Sequence, residues 1–183
     1  MIAIIWDTIE HFIENWSDSP FEWQTEIDIQ VEIASRLRQA FKDRKQLIQK
    51  ARYGYIRKGQ LQEYSRVCCE WSTNYNDSSG KRYFCKPDII VYDDIADSNN
   101  PPDLDREKNW PMLWVCEIKY QTEDNSPQYK EWDTEKIKYL LEQNETKFAC
   151  RLYFNRKEID KNPLKASEEM NGRFRSYTVL PKN

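Results

Sequence analysis

Between Met112 and Tyr120 the chain runs Met-Leu-Trp-Val-Cys-Glu-Ile-Lys-Tyr, an apolar stretch broken only by Glu117 and Lys119. Such a run reads as a β-strand of a sheet interior. Strand residues two apart point to the same face, so Glu117 and Lys119 project together while Ile118 turns to the opposite, packed side. Two charges on one side of an apolar strand are costly to bury without partners. Their placement marks a site better than charges on a solvated face would, the bland alternative being a strand-end acid and a cross-strand salt bridge.

A second acid stands in a similar position. Asp88 follows Pro87 and opens the apolar run Ile89-Ile90-Val91. Carboxylates from two adjacent strands make an oxygen-rich site suited to Mg²⁺ or Mn²⁺. A metal held there can polarise a phosphoryl oxygen and lower the pKa of a bound water. A lysine beside it can position that water and stabilise charge developing on phosphate. Asp88, Glu117 and Lys119 thus form a candidate set for phosphodiester hydrolysis that needs no His, thiolate or organic cofactor.

The pattern around these residues predicts a mixed α/β chain. Ile9, Phe12, Ile13 and Trp16 recur at helical spacing over 7–16. Thr25, with Asp28 three residues on, has the form of a capping arrangement ahead of a second helix. That helix carries Ile29, Ile33, Leu37, Ala40 and Phe41 on one stripe and is expected to reach about Lys45, or as far as Lys50. Residues 51–62 read as a loop or ragged strand. Residues 64–75 and 82–93, with the turn-forming Asn76–Gly80 between them, read as a β-hairpin. Residues 98–111 are polar with three prolines and read as an excursion. A helix over 133–143, a strand over 148–154 and a last strand near 177–180 complete the order. The strand–helix–strand step 112–120, 133–143, 148–154 favours parallel pairing, and the whole favours a mixed central sheet flanked by helices. A length of 183 residues suits a single domain.

Composition removes several other classes. Only four glycines occur, and no Gly-rich phosphate loop is present. The one histidine, His11, lies far from any nucleophile motif. Five cysteines, an odd number with no Cys-x-x-Cys pair, read as reduced thiols in a cytoplasmic protein. No apolar run approaches the roughly 18 residues that span a bilayer, so no membrane partner is expected. The net charge of −3 and pI of about 5.4 are not those of a protein that coats nucleic acid. They leave room for a local basic lip around an acidic pocket, such as Arg52, Arg57 and Lys58 interleaved with Tyr53 and Tyr55. They are also in keeping with a homodimer or a partner subunit.

Lys86-Pro87-Asp88 followed by Glu117-Ile118-Lys119 resembles the paired motif of the PD-(D/E)XK nuclease superfamily, which includes restriction endonucleases, junction resolvases and repair nucleases. The resemblance spans about residues 24–155, with the long 89–116 interval read as an insertion between neighbouring strands. It implies a restriction endonuclease-like α/β core, Mg²⁺ or Mn²⁺ as cofactor, nucleic acid (DNA above all) as partner, and Asp88, Glu117 and Lys119 as catalytic residues. The superfamily often adds a Glu from the first core helix. Glu26 lies seven residues before Ile33, at nearly the same azimuth, whereas Glu32 turns off the stripe. Glu26 is therefore the expected third metal ligand beside Asp88 and Glu117, with Gln30 one turn later. Gln121 continues the face of Glu117 and Lys119, and Lys136 lies on the next helix; Gln30, Gln121 and Lys136 are the candidate substrate contacts, a strand end and a solvated helical face being the alternatives for the last two. Asp93 and Asp94 read as loop acids. The expected activity is that of a metal-dependent DNA endonuclease. The other reading is an inactive nuclease-like module that binds nucleic acid or protein.

Overall fold

The protein is described from a computed structural model covering residues 1–53, 60–70, 73–76, 79–94, 103–104, 111–121, 128–143, 145–157 and 160–182. Its elements in chain order are α1 (Ile2–Asp18), α2 (Glu26–Asp43), β1 (Ile48–Tyr53), β2 (Gln60–Ser65), β3 (Val67–Cys69), β4 (Thr73–Asn76), β5 (Arg82–Cys85), β6 (Ile89–Tyr92), β7 (Asp103–Leu104), β8 (Met112–Gln121), α3 (Gln128–Glu142), β9 (Thr146–Asn155), β10 (Leu164–Glu169) and β11 (Phe174–Val179).

Helix α1 starts five residues ahead of the expected 7–16, because Ile5 extends the buried stripe Ile9, Phe12, Ile13 and Trp16 backwards by one turn. Helix α2 opens on a full capping box. The Thr25 hydroxyl accepts from the Asp28 N–H at 3.1 Å, and the Asp28 carboxylate accepts from the Thr25 N–H at 2.9 Å. The helix ends at Asp43, short of Lys45 and well short of Lys50. Lys45 takes a left-handed φ of 56°, its N–H donates to Lys42 O, and the Gln46 N–H donates to Phe41 O. These two bonds are a Schellman stop, and the chain leaves it directly into β1.

A six-stranded mixed sheet, in the order β10-β11-β9-β8-β6-β3, carries the centre of the fold. Strands β8 and β9 are parallel, as the intervening α3 predicted, and β11 is parallel to β9. Strands β6, β3 and β10 run antiparallel to their neighbours. The expected hairpin over 64–75 and 82–93 exists in altered form. One register joins Val67–Val91 and Cys69–Ile89 in the main sheet to Thr73–Cys85 and Asn76–Arg82 in a separate two-stranded ribbon. The break falls where Glu70, at φ 49°, donates its N–H to Asp88 O. Residues 60–65 belong elsewhere: β2 pairs with β1, which also pairs with β7, in a three-stranded sheet.

The main sheet is covered on both faces. On one side α1 and α2 pack Ile9, Phe12, Trp16, Ile29, Ile33 and Leu37 onto Ile89, Trp114, Cys116, Ile118, Leu152 and Phe154. On the other, Ile137, Leu140 and Leu141 of α3 pack onto Ile90, Tyr92, Met112, Val115, Ala149 and Phe174. Alternation along β8 thus sends Ile118 toward α1 and α2, and Glu117 and Lys119 toward α3. No helix among the described residues is long and apolar enough to cross a membrane.

Candidate functional site

Asp88 and Glu117 are brought side by side by strand register. Ile89 pairs with Cys116 across β6 and β8, so the next rung sets Asp88 against Glu117, and both continue the α3-facing alternation of Ile90 and Val115. The Asp88 backbone is fixed from two directions: its carbonyl accepts from Gln30 Nε2 at 2.6 Å and from the Glu70 N–H at 3.1 Å. Its carboxylate Oδ2 accepts from the Ile118 N–H at 2.5 Å. The long 89–116 interval, half of it outside the described residues, does not disturb this register.

Burial pushes the Asp88 carboxyl up to about 6 from an ordinary 3.8. The Ile118 N–H and the Lys119 ammonium oppose that rise, Glu26 adds to it, and Lys136 opposes it. Lys119, Glu26 and Lys136 thus all lie near enough to Asp88 to act on its charge.

Glu117 is 2% exposed and forms an ion pair through Oε1 with Lys136 Nζ of α3. Lys136 itself is 11% exposed, so it does not lie on a solvated helical face. Lys119 Nζ sits 3.3 Å from Glu26 Oε1, with the side chains 22% and 38% exposed respectively. Glu26 is the first residue after the Thr25 cap, in the first turn of α2, where an acid is favoured by the helix dipole. Gln30, one turn on, is buried and ties α2 to the Asp88 carbonyl. Gln121, at the end of β8, accepts a hydrogen bond from the Tyr153 hydroxyl. The neighbouring acids are engaged elsewhere: Asp94 with Arg66 at 2.6 Å and Asp93 with Lys147. Of the basic–aromatic stretch, Tyr55, Arg57 and Lys58 lie outside the described residues.

The structure therefore gathers Asp88, Glu117, Lys119, Glu26, Gln30 and Lys136 at one end of β8. The roles are divided more finely than the spacing alone suggests. Gln30 holds the Asp88 backbone, and Glu26 meets Lys119. Among the described residues no three His, Cys, Asp or Glu side chains converge into a metal-holding group. The donor set at the centre is the Asp88–Glu117 carboxylate pair. These are hard oxygen donors, the kind Mg²⁺ and Mn²⁺ take alongside several waters. With Asp88 ionised, the three acids and two lysines leave one excess negative charge, which also suits a cation. The adjacent Cys85 adds no soft ligand: burial pushes its thiol up to about 12, against the pull of Lys136.

Sequence reasoning missed the Glu117–Lys136 pair and the Tyr153–Gln121 bond. A signal for the first was present. Lys136 lies one turn before Leu140 on α3, so helical phase alone turns it toward the sheet. Nothing in the sequence marks Tyr153 as the neighbour of Gln121, because the β8–β9 register is a property of the sheet.

No family model, curated protein or solved structure matches the chain.

Proposed function

We propose that this chain is a divalent-metal-dependent nuclease with a restriction endonuclease-like core, acting on DNA as an endonuclease. The observation that carries the reading is the setting of Asp88 against Glu117 on the face of β6 and β8 that also carries Lys119. Helix α2 before the sheet and α3 between two parallel strands are in keeping with that core. Five free cysteines suit a reducing compartment such as the cytoplasm.

In this mechanism the carboxylates of Asp88 and Glu117 would hold the cation at the end of β8. When bound, a divalent ion supplies Lewis-acid polarisation of a phosphoryl oxygen and eases deprotonation of water. Lys119 orients the attacking water and stabilises charge growing on the phosphate. Glu26 holds the Lys119 ammonium in place. Gln30 keeps Asp88 in register, and Gln121 borders the face along which a strand would lie.

Cleavage of supercoiled plasmid and of single- and double-stranded oligonucleotides in Mg²⁺ or Mn²⁺ tests the reading. The parent cuts, chelation stops it, and Lys119→Ala and Asp88→Ala fall by roughly 100-fold or more. Equal cutting by all three proteins assigns the activity to a contaminant. Binding without cleavage of any DNA or RNA favours the inactive module, for which the specific observation is that Glu117 is already neutralised by Lys136.

A further inference from the structure

Lys136 is the least expected member of the cluster. Its ammonium is drawn 11% exposed into the space between α3 and the sheet, onto a carboxylate 2% exposed. Its charge also opposes the burial-driven rise of the Asp88 and Cys85 pKa values. A buried ion pair is a poor source of stability, because both desolvation costs offset the attraction. An apolar residue at 136 would pack as Leu140 does one turn later, on the same stripe of α3. Packing therefore gives no reason for a lysine here.

Charge does give one. The lysine places its positive charge on the same carboxylate pair that the metal reading uses. The geometry points to Lys136 as a built-in counter-ion of the Asp88–Glu117 pair, which a divalent cation must displace from Glu117 in order to bind. The inference rests on the metal-site reading above and concerns its regulation. Without metal Lys136 neutralises the Glu117 half of the acid pair, and it sets a threshold below which the cation does not bind. Once displaced, its ammonium remains beside the site as a cation able to meet a substrate phosphate. Lys138, two residues on, offers an internal contrast. It pairs with Glu169 at 2.7 Å on a half-exposed surface and takes no part in the cluster.

The test is direct Mn²⁺ binding to the full chain, read from the free-ion electron paramagnetic resonance signal and from the rise in Tm that Mn²⁺ causes. Lys136→Met should bind Mn²⁺ at least about tenfold more tightly than the parent and gain a larger Tm rise, because a unit charge a few ångströms away opposes the ion. Lys136→Gln keeps a hydrogen bond to Glu117 without the charge; it should show the same tightening and serves if the Met variant fails to fold. Lys136→Arg and Lys138→Met should match the parent. Unchanged or weaker binding by folded Lys136→Met or Lys136→Gln, with a parent that binds Mn²⁺, overturns the counter-ion role alone. Absence of Mn²⁺ binding in the parent and in every variant overturns the metal-site reading and this inference with it.

Discussion

Asp88 is the residue on which most depends, and its environment makes a prediction of its own. Burial raises its carboxyl to about 6, so the folded chain holds that proton more tightly than the unfolded one. Its contribution to stability is greatest below pH about 4 and is lost as the pH rises through about 6. Asn mimics the protonated form and can still accept from the Ile118 N–H. In metal-free buffer Asp88→Asn should therefore be more stable than the parent at pH 8, by up to about 3 kcal/mol. The two should converge near pH 4. Urea denaturation at both values checks this, and a variant less stable at pH 8 contradicts it. That Asp88, Glu117 and Lys119 share a face was legible from the period of two along one strand and from an acid heading another. The split of the lysines between two acids was not. It depends on how far α2 and α3 stand from the end of β8, which no local pattern encodes.

At the scale of elements, the helices were the most legible. Thr25 and Asp28 announced the start of α2, and both halves of the box form. The stop carries no such mark in the sequence because it rests on Lys45, a residue with no intrinsic signal for a left-handed backbone. Glycine adopts that conformation freely, and Lys45 does so at φ 56° only because the two Schellman hydrogen bonds hold it there. Lys45→Gly should accordingly raise stability by about 0.5–1 kcal/mol, and Lys45→Ala should not. Thermal unfolding of the two variants against the parent decides the point. A loss of stability in the glycine variant would show that α2 ends for another reason. Strands were read less well. The polar, wholly exposed β10 (Leu-Lys-Ala-Ser-Glu-Glu) has no alternation to detect and escaped notice. The run 64–75 looks continuous in sequence, yet it divides at Arg66, whose guanidinium is buried against Gln46 O and Tyr92 O.

Across the whole molecule, the two helical layers have different tasks. Helices α1 and α2 bury a broad aromatic core against the sheet, with Trp6 edge-on to Trp114 and Phe12 edge-on to Phe154. This fixes β8 and presents Glu26 and Gln30 at its end. Helix α3 covers the opposite face with a narrower stripe and delivers Lys136 into the acid pair. A mixed sheet between helices could be foreseen from the order of elements. Its six-strand order could not, because it is set by pairings distant in sequence. The proposed activity requires Asp88 and Glu117 together to form a divalent-cation site. Diffraction from crystals grown in Mn²⁺, recorded at the manganese absorption edge, tests it most directly. One anomalous peak is expected within about 2.0–2.5 Å of a carboxylate oxygen of each residue, with the Lys136 ammonium moved off Glu117. At saturating Mn²⁺, no peak at that pair, with Lys136 still seated on Glu117, would contradict it.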